Sequence, residues 1–303
     1  MEGSSSIAKK LKVPPIIIGL TIVAMGTSLP ETAVSVTASL VQNNELAVSN
    51  VVGSNIFNLM FVIGVCSILT PIMVQKATVV RDIPLSLGCA LFLLVLGISG
   101  LGDKAGMTLG HADGVIFLIV FAGYIFTMVR SAMKARAAGQ KVEIEGVEEC
   151  DNMKELSYGK SILFLIVGAA AIAFGGDLTV DTASRIAIEL GMSQTLVGLT
   201  IVSIGTSLPE LVTSVVAARK NEVDMAVGNA VGSNIFNILM VLGISSAISP
   251  VALIWENIID IVLLMVFSVM VWIFAGTRKK IERKEGIIMV VVYLVYCAYI
   301  IAR

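Results

Sequence analysis

One phrase of thirteen residues occurs twice in the chain, each time inside an apolar run long enough to cross a bilayer. Gly19 to Glu31 reads GLTIVAMGTSLPE, and Gly198 to Glu210 reads GLTIVSIGTSLPE; eleven of the thirteen positions are identical, at an offset of 179. The offset persists farther on, where Asn50 to Met60 reads NVVGSNIFNLM and Asn229 to Leu239 reads NAVGSNIFNIL. Such a chain is built from two copies of one unit. Each copy carries a carboxylate, Glu31 or Glu210, at membrane depth, where a charge is costly unless something compensates it.

Composition agrees with a bilayer as the solvent. Of 303 residues 56% are hydrophobic and 14% charged, with a mean hydropathy of +0.94. A soluble protein of this size has no interior large enough for that much apolar surface. The formal net charge of -1 singles out no partner, and no nucleic acid is expected. Cys66, Cys89, Cys150 and Cys297 show no metal-ligand spacing. Three of them sit in apolar stretches, where small packing residues are the default. His111 is the only histidine and lies far in sequence from the repeated phrases, so no nucleophile–histidine partnership is in view. The expectation is neither an enzyme nor a cofactor carrier.

Nine spans are expected, at 13–40, 46–69, 79–99, 108–129, 160–182, 192–218, 225–248, 257–275 and 285–302. The spans 13–40 and 192–218 exceed a straight crossing and are interrupted by Gly26/Pro30 and Gly205/Pro209, so they are read as broken helices. Nine spans put 18 of the 21 basic residues on one side of the membrane and leave Lys104, Arg185 and Arg303 on the other. Basic residues collect in cytoplasmic segments. Residue 1 is therefore expected on the cytoplasmic side of the membrane, with the C-terminus outside. The first copy then enters the membrane from the cytoplasm and the second from outside, so the copies are inverted. The expected fold is an all-α polytopic membrane protein of two inverted-topology repeats with broken helices at the core. Its divisions are 1–130 (four spans), a linker loop at 131–159 and 160–303 (five spans). A symmetric molecule would have a tenth span before residue 13, and the sequence does not show one. The linker is read as solvated; a regulatory cation site in Glu143, Glu145, Glu148, Glu149 and Asp151 is the alternative, although the spacing lacks that of a calcium loop.

The repeated phrases supply oxygen. Pro30 donates no amide hydrogen, so carbonyls of Ala24 to Thr27 become candidates to face a cation, joined by the hydroxyls of Thr27 and Ser28 and the charge of Glu31. Ser203 to Thr206, Ser207 and Glu210 repeat the set. An all-oxygen set suits hard cations. Asn50, Ser54 and Asn58 recur at i, i+4 and i+8, a polar stripe on one helix face, and Asn229, Ser233 and Asn237 repeat it. Asn55 and Asn234 are offset from the stripe and either hold the broken helix or line the path. No lysine or arginine lies within these four core segments. Two carboxylates without a basic partner need a mobile positive charge: one divalent ion, or sodium ions or protons in its place. A site that crosses only when compensated performs exchange, because the empty site would strand two like charges in low dielectric. A passive cation channel is the rival of a different class. Broken helices in duplicated, inverted halves are the mark of secondary transporters.

The phrases GTSLPE and GSNIFN, once per half, resemble the two alpha repeats of the calcium/cation antiporter superfamily, nearest to prokaryotic sodium/calcium exchanger-like proteins. The resemblance covers essentially the whole chain. It implies two inverted five-helix halves, four ion sites in a diamond at mid-membrane, and a sliding helix pair that alternates access. It implies Glu31 and Glu210 as calcium ligands, with carbonyls around Ala24, Thr27, Ser203 and Thr206. Ser28, Ser54, Ser207 and Ser233 would line outlying sodium sites, and Asn58 and Asn237 would be central polar residues. The transported ions implied are calcium and sodium, with proton or potassium coupling, or another divalent cation, as alternatives. The partners are those ions and the lipid bilayer, and a monomer would suffice. Two departures stand out. The family's first helix, part of the sliding pair, has no counterpart here, and a molecule without it would be impaired in transport. Some exchangers carry aspartate where this chain has Asn237, which lowers the site charge and leaves stoichiometry open.

Overall fold

The structure is a computed structural model, and it describes residue 6 and residues 19–40, 44–99, 107–137, 157–189, 191, 201 and 203–302. The acidic part of the linker, the stretches 13–18 and 192–200 of the two long spans, and Lys9, Lys10 and Lys12 lie outside the described residues.

Among the described residues, six uninterrupted helices are long and apolar enough to cross a membrane: Ala47–Leu69, Thr78–Ser99, His111–Ser131, Val223–Ile248, Trp255–Arg278 and Arg283–Ala302. Each falls on an expected span. A seventh helix, Tyr158–Glu189, covers the expected span 160–182. The remaining two expected spans are the interrupted ones. Leu29–Leu40 and Leu208–Arg219 are each preceded by a four-residue helical turn, Ala24–Thr27 and Ser203–Thr206. The breaks are single residues, Ser28 (φ -85°, ψ 12°) and Ser207 (φ -92°, ψ 5°). Pro30 and Pro209 then sit in the first turn of the following helix, where their missing N–H is not needed.

Ala47–Leu69 and Val223–Ile248 form the buried centre, while the other four crossing helices turn much of their surface outward. That outward surface is apolar, as at Val95, Phe126, Val266 and Val295, which is the side-chain choice for contact with lipid. Both central helices contain a wide turn at equivalent positions, Phe57–Val62 and Asn237–Val241, in which Ile63 N–H reaches Asn58 O and Leu242 N–H reaches Asn237 O five residues back. Widened turns of this kind gather at functional sites.

The halves interlock. Arg283–Ala302 packs on Ile63–Leu69 of the first half, and His111–Ala137 packs on Leu242–Ile248 of the second. Both crossings are glycine-on-glycine: Gly114 faces Gly243 O, and Gly286 faces Gly64 O. A Cβ on Gly114 would collide with Gly243 O at 2.7 Å and with Ala247 N, so only glycine permits this approach. Four two-residue strands, which an all-α expectation did not contain, add to the interlock. β1 (Ile72–Met73) pairs antiparallel with β4 (Lys280–Ile281), and β2 (Thr108–Leu109) pairs antiparallel with β3 (Val251–Ala252). Pro71 and Pro250 end the preceding helices and leave the chain extended for β1 and β3. Each pair joins segments that the nine-span reading assigns to the same side of the membrane.

Candidate functional site

The two breaks bring Ser28 and Ser207 against the opposite half. Ser28 Oγ donates to Glu210 Oε1 at 2.8 Å, and Ser207 Oγ donates to Glu31 Oε1 at 2.9 Å. Ser233 adds a second bond to Glu210 Oε1 at 3.2 Å. Its counterpart Ser54 turns instead to Ser203 O at 3.5 Å, so the two halves differ here. All of these serines and both glutamates are buried. The described bonds to the two carboxylates come from hydroxyls, and among the described residues no lysine or arginine pairs with either.

Asn50 and Asn229 hold the broken helices in place. Thr206 Oγ1 donates to Asn50 Oδ1 and Thr27 Oγ1 to Asn229 Oδ1, both at 3.2 Å. Asn50 Nδ2 in turn donates to Ser35 Oγ at 3.2 Å, and Asn229 Nδ2 to Ser214 Oγ at 3.0 Å. Each asparagine thus ties a broken helix of its own half to the threonine of the other. Asn55 and Asn234, expected either to hold the broken helix or to line the path, bond to each other's backbones. Asn55 Nδ2 donates to Asn234 O at 3.2 Å and Asn234 Nδ2 to Asn55 O at 3.1 Å.

That exchange dictates how the site faces. A backbone carbonyl only accepts, so it fixes the amide ends of Asn55 and Asn234 and turns their Oδ1 atoms outward. Asn58 Nδ2 donates to Asn234 Oδ1 at 3.3 Å, and Asn237 Nδ2 to Asn55 Oδ1 at 3.1 Å. The amide nitrogens of Asn58 and Asn237 are thereby committed, and their oxygens point away from the network. Asn58 Oδ1, Asn237 Oδ1, Glu31 Oε2 and Glu210 Oε2 are all buried and have no hydrogen-bond partner among the described residues. The wide turn bearing Asn58 packs on the helix of Glu210, and the one bearing Asn237 packs on the helix of Glu31. Buried acceptors without a donor, two of them on ionisable groups, are oxygens of the kind that hard cations take as ligands.

The carbonyls are less exposed to a ligand than the missing proline N–H suggested. Ala24 O accepts from Ser28 N–H at 3.0 Å and Thr27 Oγ1 at 3.3 Å. Ser203 O accepts from Thr206 Oγ1 at 3.2 Å as well as from Ser54. The sixteen residues of the repeated motifs each take part in a hydrogen bond here, in separate clusters: the quartet of Asn55, Asn58, Asn234 and Asn237 bonds within itself, and the serine, threonine and glutamate bonds run mainly between the halves. Sequence reasoning missed Ser35 and Ser214, the supports of Asn50 and Asn229. They share the 179 offset, which is the signal that could have found them. His111 stands apart at an exposed helix start, 2.9 Å from Ala247 O.

Comparison with known proteins agrees with this architecture. The sodium/calcium exchanger protein family matches residues 1–130 and 160–302. The sodium/calcium exchanger MaX1 of Methanosarcina acetivorans is 31% identical over 320 residues, 98% of this chain and 91% of that protein. The inner membrane protein YrbG of Escherichia coli is 36% identical over 251 residues, 82% of this chain and 74% of that protein. Among solved structures, the sodium-calcium exchanger NCX_Mj superposes with a TM-score of 0.80 at 32% identity, covering 98% of this chain and 90% of that one. With the matched residues and the shared fold in agreement, the chain belongs to the sodium/calcium exchanger protein family.

Proposed function

We propose that this multi-pass membrane protein is a secondary antiporter that exchanges calcium for sodium by alternating access. The observation that carries the reading is the set of four buried oxygens on Glu31, Glu210, Asn58 and Asn237 that have no partner among the described residues. Calcium takes six to eight oxygen ligands in flexible geometry, and the dicarboxylate matches its charge. Further oxygens would come from Ser54, Ser233 and the carbonyls of the Ala24–Thr27 and Ser203–Thr206 turns as their internal bonds yield. Two sodium ions give the same compensation, with Ser28, Ser54, Ser207 and Ser233 on the outlying positions. The functional halves are residues 1–130 and 160–303, with 131–159 as a linker, residue 1 facing the cytoplasm and the C-terminus outside; the 18-to-3 division of basic residues supports that sidedness.

Calcium uptake into proteoliposomes with imposed sodium, potassium and proton gradients tests the exchange. An outward sodium gradient is expected to drive uptake. Uptake driven by a proton gradient alone would replace sodium by protons as the coupling ion, and uptake indifferent to all three would mean a channel.

A further inference from the structure

The structure assigns a second ligand to this fold, at the membrane surface away from the ion core: we propose that an anionic phospholipid seats its acyl chain between helices Thr78–Ser99 and Trp255–Arg278. Its phosphate headgroup then rests on the basic rim above them.

A cavity of about 610 Å³ lies in the crevice of these two helices. Pro84, Leu87, Gly88 and Leu91 form one wall, Val262 and Val266 part of the other, and every residue lining the cavity is apolar. Leu91, Val262 and Val266 are 48%, 44% and 55% exposed, so the groove opens outward to where lipid tails lie. The two helices pack along each other, and among the described residues nothing fills the space. Gly88 is the floor of the groove, since a Cβ there meets nothing within 4 Å.

One end of the groove is basic. Arg81 lies one helical turn before Pro84, with its side chain 43% exposed. The pairing of β1 with β4 sets Met73 opposite Lys280, and Val74 N–H donates to Lys279 O at 2.8 Å. Lys76, Lys279 and Lys280 are thus gathered at the end where the two helices meet. Trp272 stands between this rim and the groove, 38% exposed, with its Nε1 donating to Val79 O at 2.7 Å, as an indole does at the headgroup level. The nearby acids are already engaged: Asp82 with Arg81, Glu282 with Arg278, and Glu285 with the Glu282 N–H. Among the described residues no acid pairs with Lys76, Lys279 or Lys280. An apolar slot that ends in unopposed positive charge matches the two ends of an anionic phospholipid, and a zwitterionic headgroup would forfeit the charge attraction.

The test uses the full chain in mild detergent, titrated with phosphatidylglycerol or phosphatidylcholine and read by native mass spectrometry. Wild type is expected to retain phosphatidylglycerol in preference. Lys76→Gln with Lys279→Asn, the latter suited to the left-handed backbone at that position (φ 52°), should weaken retention of phosphatidylglycerol about 10- to 30-fold and leave phosphatidylcholine unchanged. Gly88→Phe should fill the slot and lose both lipids. Equal retention of the two lipids by wild type, or retention indifferent to the charge variant, would overturn the proposal. So would a groove variant that keeps its lipid and changes only the protein's oligomeric mass, which would make the groove an interface between copies of the chain.

Discussion

Glu31 and Glu210 each spend one oxygen on a serine of the opposite half and leave the other bare. This arrangement suits an ion that comes and goes: the bonded oxygen keeps the carboxylate aimed while its partner oxygen waits. Glu31→Gln or Glu210→Gln is expected to lower calcium affinity at least about 100-fold, close to 3 kcal/mol, in isothermal titration. The same variants should behave oppositely without ions. In chelator and without sodium, removal of a buried uncompensated charge raises the melting temperature, while the gain of about 2.7 kcal/mol that wild type draws from calcium at 100 times its Kd disappears. A destabilised ion-free variant would mean that the carboxylate has a structural partner. Asn234→Ala tests the aiming of the oxygens instead. It removes the acceptor that holds Asn58 Nδ2, so the Asn58 amide is released to rotate, and calcium affinity should drop about tenfold although no proposed ligand is deleted.

At the scale of elements, the broken helices were legible because proline and glycine carry their conformational effect wherever they stand. The repeated phrase placed both breaks, and Ser28 and Ser207 are where the chain turns. The wide turns at Phe57–Val62 and Asn237–Val241 were not legible. Their sequences differ from ordinary helix in no residue type, and only the packing of a central helix against several neighbours selects a five-residue hydrogen-bond step. The division of labour among the asparagines was hidden for a related reason. Helical spacing put Asn50, Ser54 and Asn58 on one face, but the partners of Asn50 and Asn58 include residues of the other half, more than a hundred positions away. Periodicity within a segment carries no information about such partners. Helix crossings give a direct check of the packing. Gly114→Ala forces a Cβ into Gly243 O and should cost about 1–3 kcal/mol or more in thermal unfolding. Gly123→Ala, on the same helix with open space around it, should stabilise by up to about 1 kcal/mol.

Across the whole molecule, hydropathy located the six helices that are long and apolar enough to cross a membrane, since the bilayer imposes that length and composition, while the sidedness of the nine-span reading rests on the placement of basic residues alone. The strand pairs were not readable, because two residues of extended chain leave no pattern. They nevertheless test the topology. Met73→Cys with Lys280→Cys, and Thr108→Cys with Ala252→Cys, occupy paired positions and are expected to form disulfides on oxidation, seen as a shift in gel mobility. Membrane-impermeant thiol reagents should block the two pairs from opposite faces of the membrane; protection of both from one face would refute the nine-span topology.

The seat of helix Arg283–Ala302 on Gly64 has a bearing on how the protein is made. Ile72 leaves the ribosome about 200 residues before its partner Ile281, a wait of roughly 10–40 s at ordinary elongation rates. Until then the early-inserted half lacks the helix that seats on Gly64, and Glu31 for its part waits on Ser207, 176 residues later in the chain. The nascent protein therefore depends on lipid or on insertion factors to shield that surface, and maturation closes only when the late helix docks. Variants that slow this docking should be cleared by membrane proteases even when their ion-binding oxygens are intact.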